Sequence, residues 1–301
     1  MASTELATER ALYIGNTIGY VIYGGILFLY AYSTYLIMAS KQPMPRRLFY
    51  ISFGGLQVIL LTVSGAANAA FCELMWIEKR NDPGGPSAFF AANLADWYNV
   101  FGTATDSAAN ILTDGLMLYR CYIIWGSRLQ IIVIPAIIYL ASATMTVMMV
   151  IESAMPMSNI WQGLAAQFGI SWVALTVSFN VIVTALIISR LLFFHRTVRS
   201  VLTDEQRSTY TGLVAILVES ALPFTVLGIA YLVTYIKGLS SATAVGMAWG
   251  ALVVLTPHLI ILRVASGVAW SSDTGSRITQ TTLHLHHDSS SGSSSMIRKN
   301  P

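Results

Sequence analysis

Residues 131–151 read IIVIPAIIYLASATMTVMMVI, a run without Asp, Glu, Lys or Arg. At about 1.5 Å per helical residue it covers about 30 Å, the hydrocarbon thickness of a bilayer. A barrel strand needs only about ten residues and strict alternation, which this run lacks. In oil, a helix satisfies every backbone hydrogen bond within its own segment. Arg128 before the run and Glu152 after it mark where the chain meets water again. The segment therefore reads as a transmembrane helix.

Six further runs resemble it on either side. The full set is Leu12–Met38, Leu48–Phe71, Trp97–Ile124, Ile131–Ile151, Phe168–Phe194, Thr211–Ile236 and Ala244–Leu262. The whole chain is 301 residues, 55% hydrophobic and only 10% charged, with a mean hydropathy of +0.63. A soluble domain carries roughly 25% charged residues, so an ordinary water-soluble globule is excluded. The expected fold is an all-α integral membrane protein, a bundle of seven transmembrane helices. Residues 1–10 form a short N-terminus and 11–263 the membrane domain. Residues 264–301 form a Ser- and Thr-rich tail expected to be disordered. The first run is too long for the core of a cleaved leader, so it reads as a retained signal-anchor.

The basic residues orient the bundle. Lys41, Arg46, Arg47, Arg120, Arg128, Arg190, Arg196, Arg199, Arg207, Arg263, Arg277, Arg298 and Lys299 fall on one side, and only Arg10, Lys79, Arg80 and Lys237 on the other. The positive-inside rule then puts the N-terminus outside and the C-terminus in the cytoplasm of a plasma membrane or another secretory-pathway membrane. The net charge of +3 comes from loops between spans, so it points to no nucleic-acid partner. The bilayer is the partner that the composition does imply. The longest outer connection, Cys72–Asp96, contains the turn cluster Asp82-Pro83-Gly84-Gly85-Pro86 and the aromatics Trp76, Phe89 and Phe90, with Trp97 just beyond. Those rings read either as an interfacial belt or as a lid over an outward-facing pocket.

Polar groups inside the spans are the functional candidates, because a charge at the membrane centre costs at least about 2.5–3.5 kcal/mol. Asp106, Asn110 and Asp114 recur at i, i+4 and i+8, on one face of the third helix. Glu219 lies near the middle of the sixth, with Pro223 one turn later as a candidate hinge. Arg120 sits toward the cytoplasmic end of the third helix, either snorkelling to headgroups or paired with an inward acid such as Glu219. The acids either join helices through hydrogen bonds or line a site for a cation or polar ligand. Gly15–Gly19 and Gly246–Gly250 have the spacing that lets helices approach closely.

Several chemistries are excluded or unsupported. A retinal Schiff base needs a lysine deep in the last span, and Lys41, Lys79, Lys237 and Lys299 all lie in loops or the tail. Only His258 is a histidine within a span, so a zinc hydrolase centre is not expected; the tail cluster His284, His286 and His287 reads as solvated. No HExxH, GxSxG or phosphate-binding glycine loop occurs. No enzyme, cofactor or metal is expected. Cys72 and Cys121 fall at opposite ends of their helices and cannot pair.

Three stretches carry a family resemblance. They are Thr113-Asp114-Gly115-Leu116-Met117-Leu118-Tyr119-Arg120-Cys121-Tyr122-Ile123-Ile124-Trp125, Val218-Glu219-Ser220, and Leu259-Ile260-Ile261-Leu262-Arg263-Val264-Ala265. With them the chain, from its first span to Arg263, resembles a large group of seven-helix proteins from mushroom-forming fungi. The topology also resembles that of G-protein-coupled receptors, with Tyr119-Arg120-Cys121-Tyr122 where those place an Asp/Glu-Arg-Tyr switch, although no acid precedes this arginine. The resemblance implies a receptor-like sensor of a small ligand from the outer side, with a cytoplasmic signalling partner. On this reading Asp106, Asn110 and Asp114 line the cavity. Glu219 and Pro223 form the moving element, and Arg120 latches the cytoplasmic side. A secondary transporter or ion-coupled carrier that uses the same carboxylates is the alternative.

Overall fold

In the computed structural model, residues 2–40, 43–155, 163–198 and 222–266 are described, and all their regular structure is helical. The elements are α1 (Ala2–Ala39), α2 (Met44–Glu73), α3 (Gly85–Ala92), α4 (Trp97–Ile124), α5 (Leu129–Ser153), α6 (Gly163–Val198), α7 (described over Leu222–Ile236) and α8 (Ser241–Ala265). α1, α2, α5, α6 and α8 are each long and apolar enough to cross a bilayer. α4 has 28 residues, ample length, but carries Asp106, Asp114 and Arg120.

The polarity of the bundle is reversed relative to a soluble protein. Its outward faces carry Val21 (72% exposed), Phe28, Tyr35, Ile59, Ile137, Leu140 and Val226, while Gln57, Asn110, Asp114, Ser142, Thr176 and His258 are buried. Burying polar groups while exposing large apolar ones is unfavourable in water, and favourable where the surroundings are oil and the inner groups are hydrogen-bonded. The chain is an α-helical, membrane-embedded protein.

α4 is central, meeting α2, α5, α6 and α8, and α1 packs along both α2 and α8. α7 fits between α6 and α8, because Gly228 opens a slot for Val177 and for the Trp249 indole. α1 and α8 approach closely at Gly15, where a Cβ would fall 2.9 Å from the Ala244 Cα. The paired glycines otherwise act differently from expectation. Gly246 accommodates the Tyr231 ring rather than a helix backbone, while a Cβ on Gly19 would meet nothing within 4 Å.

The connection after α2 is more ordered than its turn-rich sequence suggests. The helix runs on as a π-turn over Leu74–Glu78, because fully buried Met75 packs with Leu12 and Phe71. The turn cluster then reverses the chain at Gly84 and Gly85, with φ of 88° and 63°, a conformation that favours glycine. Pro86 lies in the first turn of α3, where a missing N–H costs nothing. At the other end, α1 begins at Ala2, so the segment read as a separate N-terminus belongs to the first helix. α8 ends at Ala265, and 267–301 lie outside the described residues.

Candidate functional site

A cavity of about 540 Å³ occupies the end of the bundle that carries α3 and the N-terminus of α1. Small-molecule sites typically enclose roughly 300–1,000 Å³. One wall is aromatic. Trp249 of α8 lies 5.7 Å from Trp172, 5.4 Å from Phe224 and 5.6 Å from Tyr231, centroid to centroid, and Tyr231 stacks on Tyr235 one helical turn away. Trp172, Tyr231, Tyr235 and Trp249 all line the cavity. Three glycines seat these rings. A Cβ would strike the Tyr235 hydroxyl from Gly169 at 2.8 Å, Trp249 Nε1 from Gly228 at 2.9 Å and the Tyr231 ring from Gly246 at 2.7 Å.

The opposite wall is small and polar, built from α1 and α2. The Asn16 amide donates to the Cys72 thiol at 3.2 Å, the Asn68 amide donates to Asn16 Oδ1, and the Tyr20 hydroxyl donates to the Gly65 carbonyl at 3.2 Å. Tyr23 and Thr62 share a 2.7 Å hydroxyl bond a turn deeper. Gly19, Gly65, Ala66 and Ala69 complete this side. Above, Phe71 packs against Phe89, Phe90 and Tyr98 at 5.7–6.1 Å. Phe90 of α3 and Leu94 just after it reach the cavity itself and roof it, whereas Trp97 is 78% exposed and takes no part in the lining.

The three polar residues of α4 separate by depth. Asp106 is in the cavity wall; a Cβ on Gly250 across from it would fall 3.8 Å from Oδ2, and Tyr231 is an electrostatic neighbour. No hydrogen bond or ion pair to the Asp106 carboxylate occurs among the described residues, and it is the only charged side chain among the lining residues described. Asn110 and Asp114 lie below the cavity, outside its lining, and are buried. The Asn180 amide donates to Asp114 Oδ1 at 3.2 Å and to the Thr176 carbonyl at 3.2 Å. Thr176 shares a 2.8 Å bond with Ser142, and Gln57 donates to Thr113 at 3.1 Å. Of the three residues expected to line a cavity, Asp106 lines this one, and Asn110 and Asp114 are outside its lining. Helical periodicity put them on a common face, but the cavity ends after about one turn of it.

Toward the far end, Met117 and Cys121 continue the α4 face into a core with Phe179, Val183, Ile187 and Ile260. The Arg120 guanidinium has the Tyr50 hydroxyl and Arg263 as electrostatic neighbours. Its expected acidic partner, Glu219, lies outside the described residues. Pro223 is at the start of the described part of α7 with its ring exposed. No metal-ligating cluster forms among the described residues.

The sequence reading missed the aromatic wall and the Asn16–Asn68 pair. Tyr231 and Tyr235 at i, i+4 share one helix face, and Asn16 and Asn68 are polar interruptions of apolar runs, so both signals were present in the chain. The chain matches no known family model, no curated protein and no solved structure.

Proposed function

We propose that this chain is a seven-span, receptor-like membrane protein that binds a small ligand from the outer side and signals without enzymatic activity. On this reading it belongs to the group of fungal seven-helix proteins it resembles. α4 and the apolar run Thr211–Ile236, which contains α7, supply the two spans beyond the five apolar helices, with the N-terminus outside and the C-terminus in the cytoplasm. The cavity shares its end of the bundle with the turn around Gly84 and Gly85, the side that the sparse basic residues assign to the exterior.

One observation carries the proposal: Asp106, the one carboxylate among the lining residues described, is set in the wall of a roofed, aromatic cavity of ligand size. A structural acid in oil is expected to be hydrogen-bonded or paired, as Asp114 is. An acid left facing a cavity serves whatever fills it. Arg120 with Tyr50 and Arg263 forms the polar group at the cytoplasmic end, which a moving α7 would rearrange to engage a signalling partner. A carrier is the second reading, supported by the stacking of Asp114 beneath Asp106 along one helix face.

A thermal-shift screen of a small-molecule library against the purified protein, repeated with Asp106→Asn, tests the proposal. Ligands that raise Tm in the native protein and lose most of that shift in the variant are expected. The carrier reading replaces it if such a ligand is taken up by proteoliposomes and Asp114→Asn abolishes the uptake. A screen in which no compound depends on Asp106 overturns both.

A further inference from the structure

The cavity is open at its side as well as roofed at its end. On α2, Thr62, Ala66 and Ala69 continue the exposed stripe that begins at Leu56 and Ile59, yet all three line the cavity. On α1, Tyr20 is 44% exposed and also lines it. The cleft between α1 and α2 therefore joins the cavity to the lipid-facing surface of the bundle. Its edges are small, since nothing lies within 4 Å of a Cβ on Gly19 and only the Tyr20 ring, at 3.6 Å, approaches one on Gly65. Hydrogen bonds cross it from Asn16 to Cys72, from Asn68 to Asn16, from Tyr20 to the Gly65 carbonyl and between Tyr23 and Thr62. The last two depend on tyrosine side chains that can rotate aside without moving a helix.

Asp106 gives the interior the opposite character. It is the lone charged group of the lining described and faces Tyr231 and the open backbone at Gly250. Trp172, Trp249 and Tyr235 add aromatic side chains to the same lining, and aromatic rings attract cations. A neutral polar ligand would leave the carboxylate uncompensated, and an anion would be repelled. A small hydrophilic cation would use Asp106 but leave the cleft between α1 and α2, with Gly19, Gly65, Ala66 and Ala69 at its edges, unfilled.

We propose that the occupant is a single-chain amphiphilic amine drawn from the membrane, its ammonium against Asp106 and the aromatic wall, its hydrocarbon chain lying out between α1 and α2. This rests on the ligand-binding reading above and names the ligand class. Such molecules partition into bilayers, which raises their concentration beside the cleft, and each methylene moved from water into apolar surroundings adds to affinity.

The probe is radiolabelled dodecylamine, bound to the full chain in lipid nanodiscs, with empty nanodiscs subtracted. Saturable binding is expected, with dodecanol, dodecanoate and butylamine each competing at least tenfold less well than unlabelled dodecylamine. Asp106→Asn should remove the preference for the amine over dodecanol. Ala66→Phe, which fills the cleft without touching Asp106, should remove the advantage of dodecylamine over butylamine while butylamine still binds. Elution of each variant as the native species in size-exclusion chromatography shows that it is folded. Dodecanoate or dodecanol competing as well as the amine overturns the proposal, as does an Asp106→Asn protein that still prefers the amine. Butylamine binding as tightly as dodecylamine, with Asp106 required, removes the amphiphile and leaves the receptor-like reading standing. No Asp106-dependent binding of any probe, together with an empty library screen, removes that reading too.

Discussion

Asp106 and Asp114 stand on one face of α4, about 12 Å apart at the helical rise of about 1.5 Å per residue, in very different surroundings. Around Asp114 the bundle is closed: Asn180, Thr176, Ser142, Gln57 and Thr113 pair with one another or with the acid, and the buried chains of Met117, Phe179 and Val183 lie beyond. Around Asp106 the bundle is open, with rings on one wall and glycines and alanines on the other. The same side chain is mortar at one depth and an unfilled valence at the other. In a membrane protein the value of a buried acid lies in its neighbours, because lipid tails offer no substitute partner.

The most demanding test of that contrast is to delete each acid. Asp114→Ala leaves the Asn180 amide only its bond to the Thr176 carbonyl and opens a void, and should cost within the ~1–3 kcal/mol range for a buried polar group that loses its partner, read as a fall in Tm in detergent. Asp106→Ala should leave stability within about 0.5 kcal/mol or raise it. Equal losses from the two substitutions would erase the distinction between the regions.

A smaller effect separates two glycines of one helix. Gly15→Ala pushes a methyl to 2.9 Å from the Ala244 backbone and should destabilise the α1–α8 contact by about 1 kcal/mol, the lower end of overpacking costs. Gly19→Ala enters open space and should be neutral or stabilising by up to about 0.5–1 kcal/mol, the helix-propensity gain. Thermal denaturation of the pair sharpens the boundary between packed and open regions, and the reverse ranking would misplace the cleft.

The smallest effect concerns one hydroxyl pair. Ser142→Ala breaks the 2.8 Å bond to Thr176 and should cost about 0.6 kcal/mol, the average for interhelical hydrogen bonds in a membrane protein. Double-mutant cycles with Thr176→Val isolate it. A coupling near zero would mean that this layer is held by packing alone.

Much of the architecture was legible in the chain. Ile131–Ile151 announces a helix in oil because length and apolarity suffice for that conclusion, and α5 spans Leu129–Ser153. Asp106 stood out because acids are rare in such runs. The depth at which the cavity stops was not legible, since Asp106, Asn110 and Asp114 are equivalent by helical period and differ only in what other helices bring to each level. Gly246 shows the same limit: its spacing to Gly250 suggests a helix-packing motif, but the residue that fills its notch is the Tyr231 ring.

The sequence by itself determined the solvent and the secondary structure, because each follows from local hydrophobicity and from the need of a backbone in oil to bond within its own segment. Only the tertiary structure decided which acid is satisfied, where the rings gather and where the wall between α1 and α2 thins. Those outcomes depend on contacts between residues far apart in the chain, such as Asp114 with Asn180 and Asn16 with Asn68. No local pattern records which helices will become neighbours.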